Sequence, residues 1–250
     1  MFSLSDARQI ASSEANSKLL DYFLKKYRRM EDDEARARLK ATMIERDCFY
    51  VPFDAYIKQV HGKVIRESFR DYYTTNGCLL TNSLCMPLLS VKEEVLGLLM
   101  NNPTIQEKYM YPVVGIFQKS RYLQMTKENY IEALRRNFVF IVEGVYDEMS
   151  VSSCGVPVVG LSGSSMTRAT AQILDVIPNK IVCSDEDDAG RRIFQECQKV
   201  FSGKVISVKL PTNDIDEFLR SEENAKLFVD KVTANEVSGW ATRIVTLGES

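Results

Sequence analysis

The chain has 250 residues and is 45% hydrophobic, enough to bury a sizeable core in one large domain or two modest ones; two lobes are expected. Its formal net charge of −2 conceals a split, because residues 1–137 carry 21 Lys/Arg against 17 Asp/Glu, while residues 138–250 carry 11 against 17. A cationic surface for a polyanion beside an acidic site that needs cations would produce this split, and so would ordinary solvated faces. No signal peptide opens the sequence and no apolar run approaches the ~20 residues that span a bilayer, so no membrane partner is expected. The six cysteines form no CxxC pair and the one histidine, His61, is near none of them. No zinc is therefore expected, and free thiols in a reducing cytoplasm fit best.

Residues 4–46 read as helix, with Leu4, Ala7, Ile10 and Ala11, then Leu19, Leu20, Phe23, Leu24 and Tyr27, at spacings of three and four. The basic residues among them (Lys25, Lys26, Arg28, Arg29, Arg36, Arg38, Lys40) suit either a nucleic-acid face or a solvated surface laced with ion pairs. From Cys48 to Leu99 short β-like runs (CFYVPF, CLLTNSLCMPLL, VLGLLM) are separated by Gly, Asn and Pro, as in a small mixed α/β lobe. Within it, Lys63, Arg66 and Arg70 interleave with Phe69, Tyr72 and Tyr73, a mixture suited to phosphates and stacked bases or to an amphipathic helix. Next comes KYMYPVVGIFQKSRYLQM, carrying Lys108, Lys119 and Arg121, and then a helix over 126–136 that bridges the lobes.

From Phe138 the pattern becomes regular. Apolar runs of strand length at 138–143, 156–161, 180–185 and 204–210 alternate with helical stretches at 146–154, around Met166–Ile177, at about 188–201 and from 216 to about 233. Four alternations predict an α/β domain with a parallel sheet covered by helices on both faces and ligands bound at the carboxyl ends of the strands. The tail from Ser238 is too short to interpret. Acidic residues fall just where strands end: Glu143 after the first, Asp185/Glu186/Asp187 after the third, Asp214 and Asp216 shortly after the fourth. Converging carboxylates stay ionised when hard divalent cations neutralise them, which suits Mg²⁺ or Mn²⁺ and phosphoryl or nucleotidyl transfer. Taken singly, the same acids read equally as helix caps, Asp187 or Asp188 before AGRR and Asp214 or Asp216 before EFL. LSGSS (161–165) could present backbone N–H groups to a phosphate or simply cap a helix.

These segments, VEGVYDEMSV, LSGSS, VCSDEDDAGRR and LPTNDIDEFL in that order, resemble the TOPRIM domain of bacterial replicative primases of the DnaG type. The preceding KYMYPVVGIFQKSRYLQM is similar to the basic segment upstream of that domain in the same primases. The resemblance covers about residues 85–220; residues 1–84 are similar only in position to the basic amino-terminal lobe of the primase core. It implies a TOPRIM-type parallel sheet flanked by helices at 138–235, preceded by a smaller, helix-rich basic lobe at 1–137, with 236–250 as a tail. It also implies a DNA-templated RNA polymerase making short primers on single-stranded DNA from ribonucleoside triphosphates, in a bacterial cytoplasm or a phage-infected host.

Carried over by motif, Glu143 matches the catalytic glutamate, and Asp185 and Asp187 the metal-binding D-x-D. Asp214 and Asp216 match the last acidic pair, completing a set for two or more Mg²⁺ or Mn²⁺ ions, and Asp147 is a supporting acid. Lys119 matches the lysine that holds template or nucleotide, with Arg121, Lys108, Lys63, Arg66 and Arg70 as weaker candidates. The chain departs from the family in two places: Glu186 stands where glycine separates the two metal ligands, and GLLMNN (97–102) lacks the arginine of a GFGGR-like segment. It shows neither an amino-terminal zinc module nor a long helicase-binding domain, the pattern expected of a compact core; a replicative helicase and a separate zinc-binding protein are partners the resemblance allows, and it leaves open whether either acts in trans. A TOPRIM nuclease using the same carboxylates, and a DNA-binding replisome scaffold without turnover, are the alternatives; a topoisomerase fits less well because a catalytic tyrosine domain of the usual size is missing.

Overall fold

The computed structural model describes residues 4–51, 82–89, 95–104, 109–110, 124–161, 166, 168–184, 188–212, 214–240 and 245–246. The chain divides into two compact units, Met1–Phe117 and Gln118–Ser250.

In the first unit the helical stretch is broken into α1 (Leu4–Ala11), α2 (Glu14–Tyr27) and α3 (Asp33–Glu45). Capping side chains set the starts: the Ser13 hydroxyl accepts from the Asn16 N–H at 3.1 Å, and the Asp32 carboxylate from the Glu34 and Ala35 N–H groups at 3.0 Å. Several basic residues are taken up by ion pairs. Arg36 is buried, donates to the Met30 carbonyl at 2.7 Å and pairs with Asp21 and Asp33, while Lys40 pairs with Asp21 and Lys18 with Glu14. Lys25, Lys26 and Arg29 stay exposed, and Lys26 Nζ lies 5.1 Å from the ring centroids of both Tyr22 and Tyr27.

The helices adjoin an antiparallel sheet of β1 (Phe49–Val51), β2 (Ser83–Leu89), β3 (Val95–Asn101) and β4 (Tyr109–Met110), hydrogen-bonded in that order. A buried amide joins the two layers. Asn16 on α2 donates to the Ala11 and Cys48 carbonyls at 3.1 and 3.0 Å and accepts from the Tyr50 N–H at 3.1 Å, so its burial leaves no polar atom unsatisfied.

The second unit carries the parallel sheet. Its strands are β5 (Phe138–Val142), β6 (Val158–Gly160), β7 (Asn179–Val182), β8 (Lys204–Lys209) and β9 (Val245–Thr246), in the spatial order β6-β5-β7-β8-β9. All four pairings are parallel. Alternate residues of each strand point to opposite faces and build two cores. Phe138, Phe140 and Val142 join Val151 of α5 (Val145–Ser153), Phe218 of α8 (Ile215–Phe218) and Phe228 of α9 (Glu222–Ser238). Val139 and Ile141 join Ala133 of α4 (Lys127–Arg136), Leu174 of α6 (Arg168–Asp175) and Ile193 of α7 (Asp188–Val200) on the other face.

Three features differ from the sequence reading. The helix over 126–136 goes with the second unit, where it packs on β5 and β6. The last helical stretch is two helices, separated where Ser221 caps α9. The stretch 236–250, read as a tail, contributes the end of α9, the buried Trp240 and the edge strand β9.

The amino edge of this sheet is closed by mutually satisfied polar groups. Lys180 of β7 is fully buried, donates to the Asp175 carbonyl at 3.0 Å and carboxylate at 3.3 Å, and lies 5.0 Å from the Phe201 ring centroid. Asp175 also accepts from the Ser202 N–H and hydroxyl, each at 2.8 Å; these bonds, with Lys180, hold its carboxyl below the usual carboxylate range. Gly203 makes room for the cluster, since a Cβ there would lie 2.8 Å from the Pro178 carbonyl oxygen and 3.0 Å from Lys180 Nζ. Asn137, in the left-handed region at φ 60°, ends α4 and offers its carbonyl to the Asn179 N–H and Nδ2.

Candidate functional site

The connections of the second unit fix where a site can form. From β5 the chain passes through α5 to β6 on one side, whereas β7, on the other side of β5, continues through α7 to β8. Neighbouring strands whose connections diverge open a crevice beyond their carboxyl ends, the usual ligand position in open parallel sheets. Ile141 is paired with Val182, and the Cys183 N–H donates to the Ile141 carbonyl at 2.9 Å. Glu143 and Ser184 therefore leave the sheet side by side. The Ser184 hydroxyl donates to the Gly190 carbonyl at 3.2 Å and so joins the two ends of the segment that holds Asp185 and Asp187. Asp185 and Asp187 themselves, with LSGSS from 162 to 165, lie outside the described residues.

The E-G-x-x-D signature has a local physical reason. Glu143 is half-buried and immediately precedes Gly144, the residue that caps α5. The Gly144 N–H donates to Asp147 Oδ2 at 2.8 Å, so this aspartate caps the start of α5, two residues after Glu143. A Cβ on residue 144 would lie 2.7 Å from the same oxygen. Glycine leaves the carboxylate room to close on the backbone at this distance, and the cap fixes the direction in which the chain leaves Glu143.

The final acidic pair is split. Asp214 is half-exposed and caps α8, its Oδ1 accepting from the Glu217 N–H, while its carbonyl accepts from the Thr212 hydroxyl at 2.9 Å. Asp216 is 1% exposed. Its Oδ1 accepts from the Ser150 hydroxyl at 2.7 Å, and its Oδ2 from Arg220 Nη2 at 2.7 Å and Nε at 3.2 Å. Sequence reasoning missed Ser150 and Arg220, although Arg220 four residues after Asp216 was a readable signal for a pair on one helical face. It also missed Glu148, fully buried on α5, whose Oε1 accepts from Asn129 Nδ2 on α4 at 3.4 Å.

Among the described residues, no group of three or more His, Cys, Asp or Glu side chains is placed to hold a metal ion. Glu143, Asp185, Asp187 and Asp214 are hard oxygen donors, of the kind that would suit Mg²⁺ or Mn²⁺. Lys63, Arg66, Arg70, Lys108, Lys119 and Arg121 also lie outside the described residues. Cys48, Cys85, Cys154, Cys183 and Cys197 are free thiols. No helix among the described residues is long and apolar enough to cross a membrane.

The family described as Toprim-like matches residues 140–219, the stretch from within β5 to the end of α8. No curated protein matches the sequence. Among solved structures, the chain is similar to the RNA polymerase domain of Mycobacterium tuberculosis primase DnaG, with a TM-score of 0.62 and 17% identity over 92% of this chain and 80% of that one. It is similar to the Aquifex aeolicus primase (zinc-binding and RNA polymerase domains), with a TM-score of 0.61 and 21% identity over 90% of this chain. The chain spans 61% of that Aquifex structure. A DnaG primase catalytic domain bound to single-stranded DNA matches with a TM-score of 0.56 and 19% identity over 94% of this chain and 80% of that one. The chain has the fold of a DnaG-type primase catalytic core and contains a Toprim-like domain.

Proposed function

We propose that this chain is the catalytic core of a DNA primase, a nucleotidyltransferase that joins ribonucleotides into a short primer on single-stranded DNA. The observation that carries the reading is the crevice at the carboxyl ends of β5 and β7, where Glu143 and the strand leading into Asp185 and Asp187 leave the sheet side by side. In the reaction, the primer 3′-hydroxyl oxygen forms a bond to the α-phosphorus of the incoming triphosphate. The α–β phosphoanhydride bond breaks, pyrophosphate leaves with the bonding pair, and the hydroxyl proton passes to water.

Glu143, Asp185, Asp187 and Asp214 would hold divalent cations; when bound, these neutralise the triphosphate and lower the pKa of the attacking hydroxyl. The work of the chain is to fix those carboxylates: Asp147 and Gly144 set the exit of Glu143, and the Ser184–Gly190 bond closes the ends of the D-x-D segment. Lys119, with Arg121, Lys108, Lys63, Arg66 and Arg70, would grip template or triphosphate. Most such contacts go to phosphates, so affinity falls steeply with salt and varies little with sequence. The single-stranded DNA in the related catalytic-domain structure supports a template of that kind.

Primer synthesis on single-stranded DNA with Mg²⁺ or Mn²⁺ tests the proposal. The expected result is primer formation that Glu143→Ala and Asp185→Ala each reduce by on the order of 1,000-fold, about 4 kcal/mol of transition-state stabilisation. Activity that survives either substitution overturns it. Cleavage of DNA with metal but no nucleotides, in the absence of primer synthesis, supports a nuclease instead.

A further inference from the structure

Asp216 does not have the surroundings of a metal ligand. It is 1% exposed, one oxygen takes the Ser150 hydroxyl and the other takes two Arg220 nitrogens. A carboxylate committed in this way has the features of a buried polar tie. We infer that Asp216 is a positioning residue that clamps the loop carrying Asp214 onto α5, the helix that follows Glu143 and Gly144, and that it does not itself bind the cation. The inference rests on the proposed reading of the carboxyl-edge site.

The geometry explains what the clamp does. Glu143 stands one residue before the cap of α5, and Ser150 lies two turns into the same helix. Asp214 caps α8, whose second residue is Asp216. The two candidate ligands therefore sit on segments connected through one short hydrogen bond, Ser150 to Asp216, across 66 residues of sequence. Ile215, Phe218 and Leu219 pack in the same core as Val151, so apolar contact holds the segments together and the polar bond fixes their register. Arg220 balances the charge of Asp216, allowing the carboxylate to be buried beside the hydroxyl.

The test uses the whole chain and Mn²⁺ alone, titrated calorimetrically well below the melting transition. Asp216→Asn and Ser150→Ala are each expected to keep the number of bound Mn²⁺ ions and to weaken binding about 10-fold, the effect of disturbing a partner that orients a ligand. A double-mutant cycle of the two in urea is expected to be non-additive, because they break the same bond. Loss of a bound ion in Asp216→Asn with no change of affinity in Ser150→Ala overturns the inference, as does wild-type affinity in both. Should Asp216→Asn fail to fold, Ser150→Ala and Arg220→Gln carry the same comparison, with weaker binding at unchanged stoichiometry supporting the clamp. If the wild type binds no Mn²⁺, the metal-site reading fails while the urea cycle still decides the clamp: coupling supports it and additivity overturns it.

Discussion

The two edges of the parallel sheet in the second unit treat charge in opposite ways. At the amino edge, the buried ammonium of Lys180 meets a carboxylate, a carbonyl and an aromatic face, and Asp175 is bonded in turn to Ser202. Nearby, Arg136 ties the end of α4 to Glu236 of α9 at 2.7 Å and to the Gly155 carbonyl at 3.0 Å. Cations and anions there balance inside the fold. At the carboxyl edge the acids receive bonds from the Gly144 N–H, the N-terminus of α8, a serine and two arginines, Arg220 on Asp216 and Arg191 on Asp188. At one edge charges are balanced within the fold; at the other, on the proposed reading, carboxylates would meet an external cation.

The amino edge gives the strongest way to break this contrast. Asp175→Ala leaves the Lys180 ammonium buried without its carboxylate and should cost on the order of 3 kcal/mol, read as a lowered urea midpoint with Mn²⁺ affinity unchanged. A change in Mn²⁺ affinity would show that the two edges are not independent. The pH dependence follows from the depressed titration of Asp175: its stabilisation is complete above the unfolded value near pH 4 and is lost as the pH falls through the folded value. The stability gap between wild type and Asp175→Ala should therefore be full at neutral pH and shrink in acid, as followed by urea denaturation across that range.

A smaller effect sharpens the opposite edge. Gly144→Ala brings a Cβ against Asp147 Oδ2 and should remove the cap of α5, at about 1 kcal/mol of stability. Primer synthesis should fall by more than that loss of stability explains, because Glu143 leaves the strand at the same point. Smallest of all is Asn137→Gly at the amino edge. Its left-handed backbone suits glycine and its carbonyl still accepts from Asn179, so thermal unfolding should change by only a few tenths of a kcal/mol.

How much of this was legible in the sequence depended on the range of the interactions. The strands β5 to β8 were readable because each is an apolar run between turn residues, and Glu143 was readable because it ends the first of them. The breaks between α1, α2 and α3 were signalled by Ser13 and Asp32 but are overridden in periodicity by the apolar residues on either side. Strand β9 was illegible: two residues acquire strand geometry only from pairing with Val208 and Lys209. The Asp216 clamp was illegible for the same reason, since nothing near Ser150 in the chain announces a partner so distant. Asp214 and Asp216 look equivalent as a D-x-D pair, and only burial separates the half-exposed cap from the enclosed tie.

Trp240 is the single tryptophan of the chain, and its ring lies 5.2 Å from that of Phe138 and 6.2 Å from that of Phe140, on one face of the parallel sheet. Its emission, excited apart from the tyrosines, is therefore an optical signal belonging to the second unit alone. Light from this residue follows the melting of the Toprim-like half, while backbone circular dichroism follows both halves, so a difference between the two curves measures whether the units unfold together.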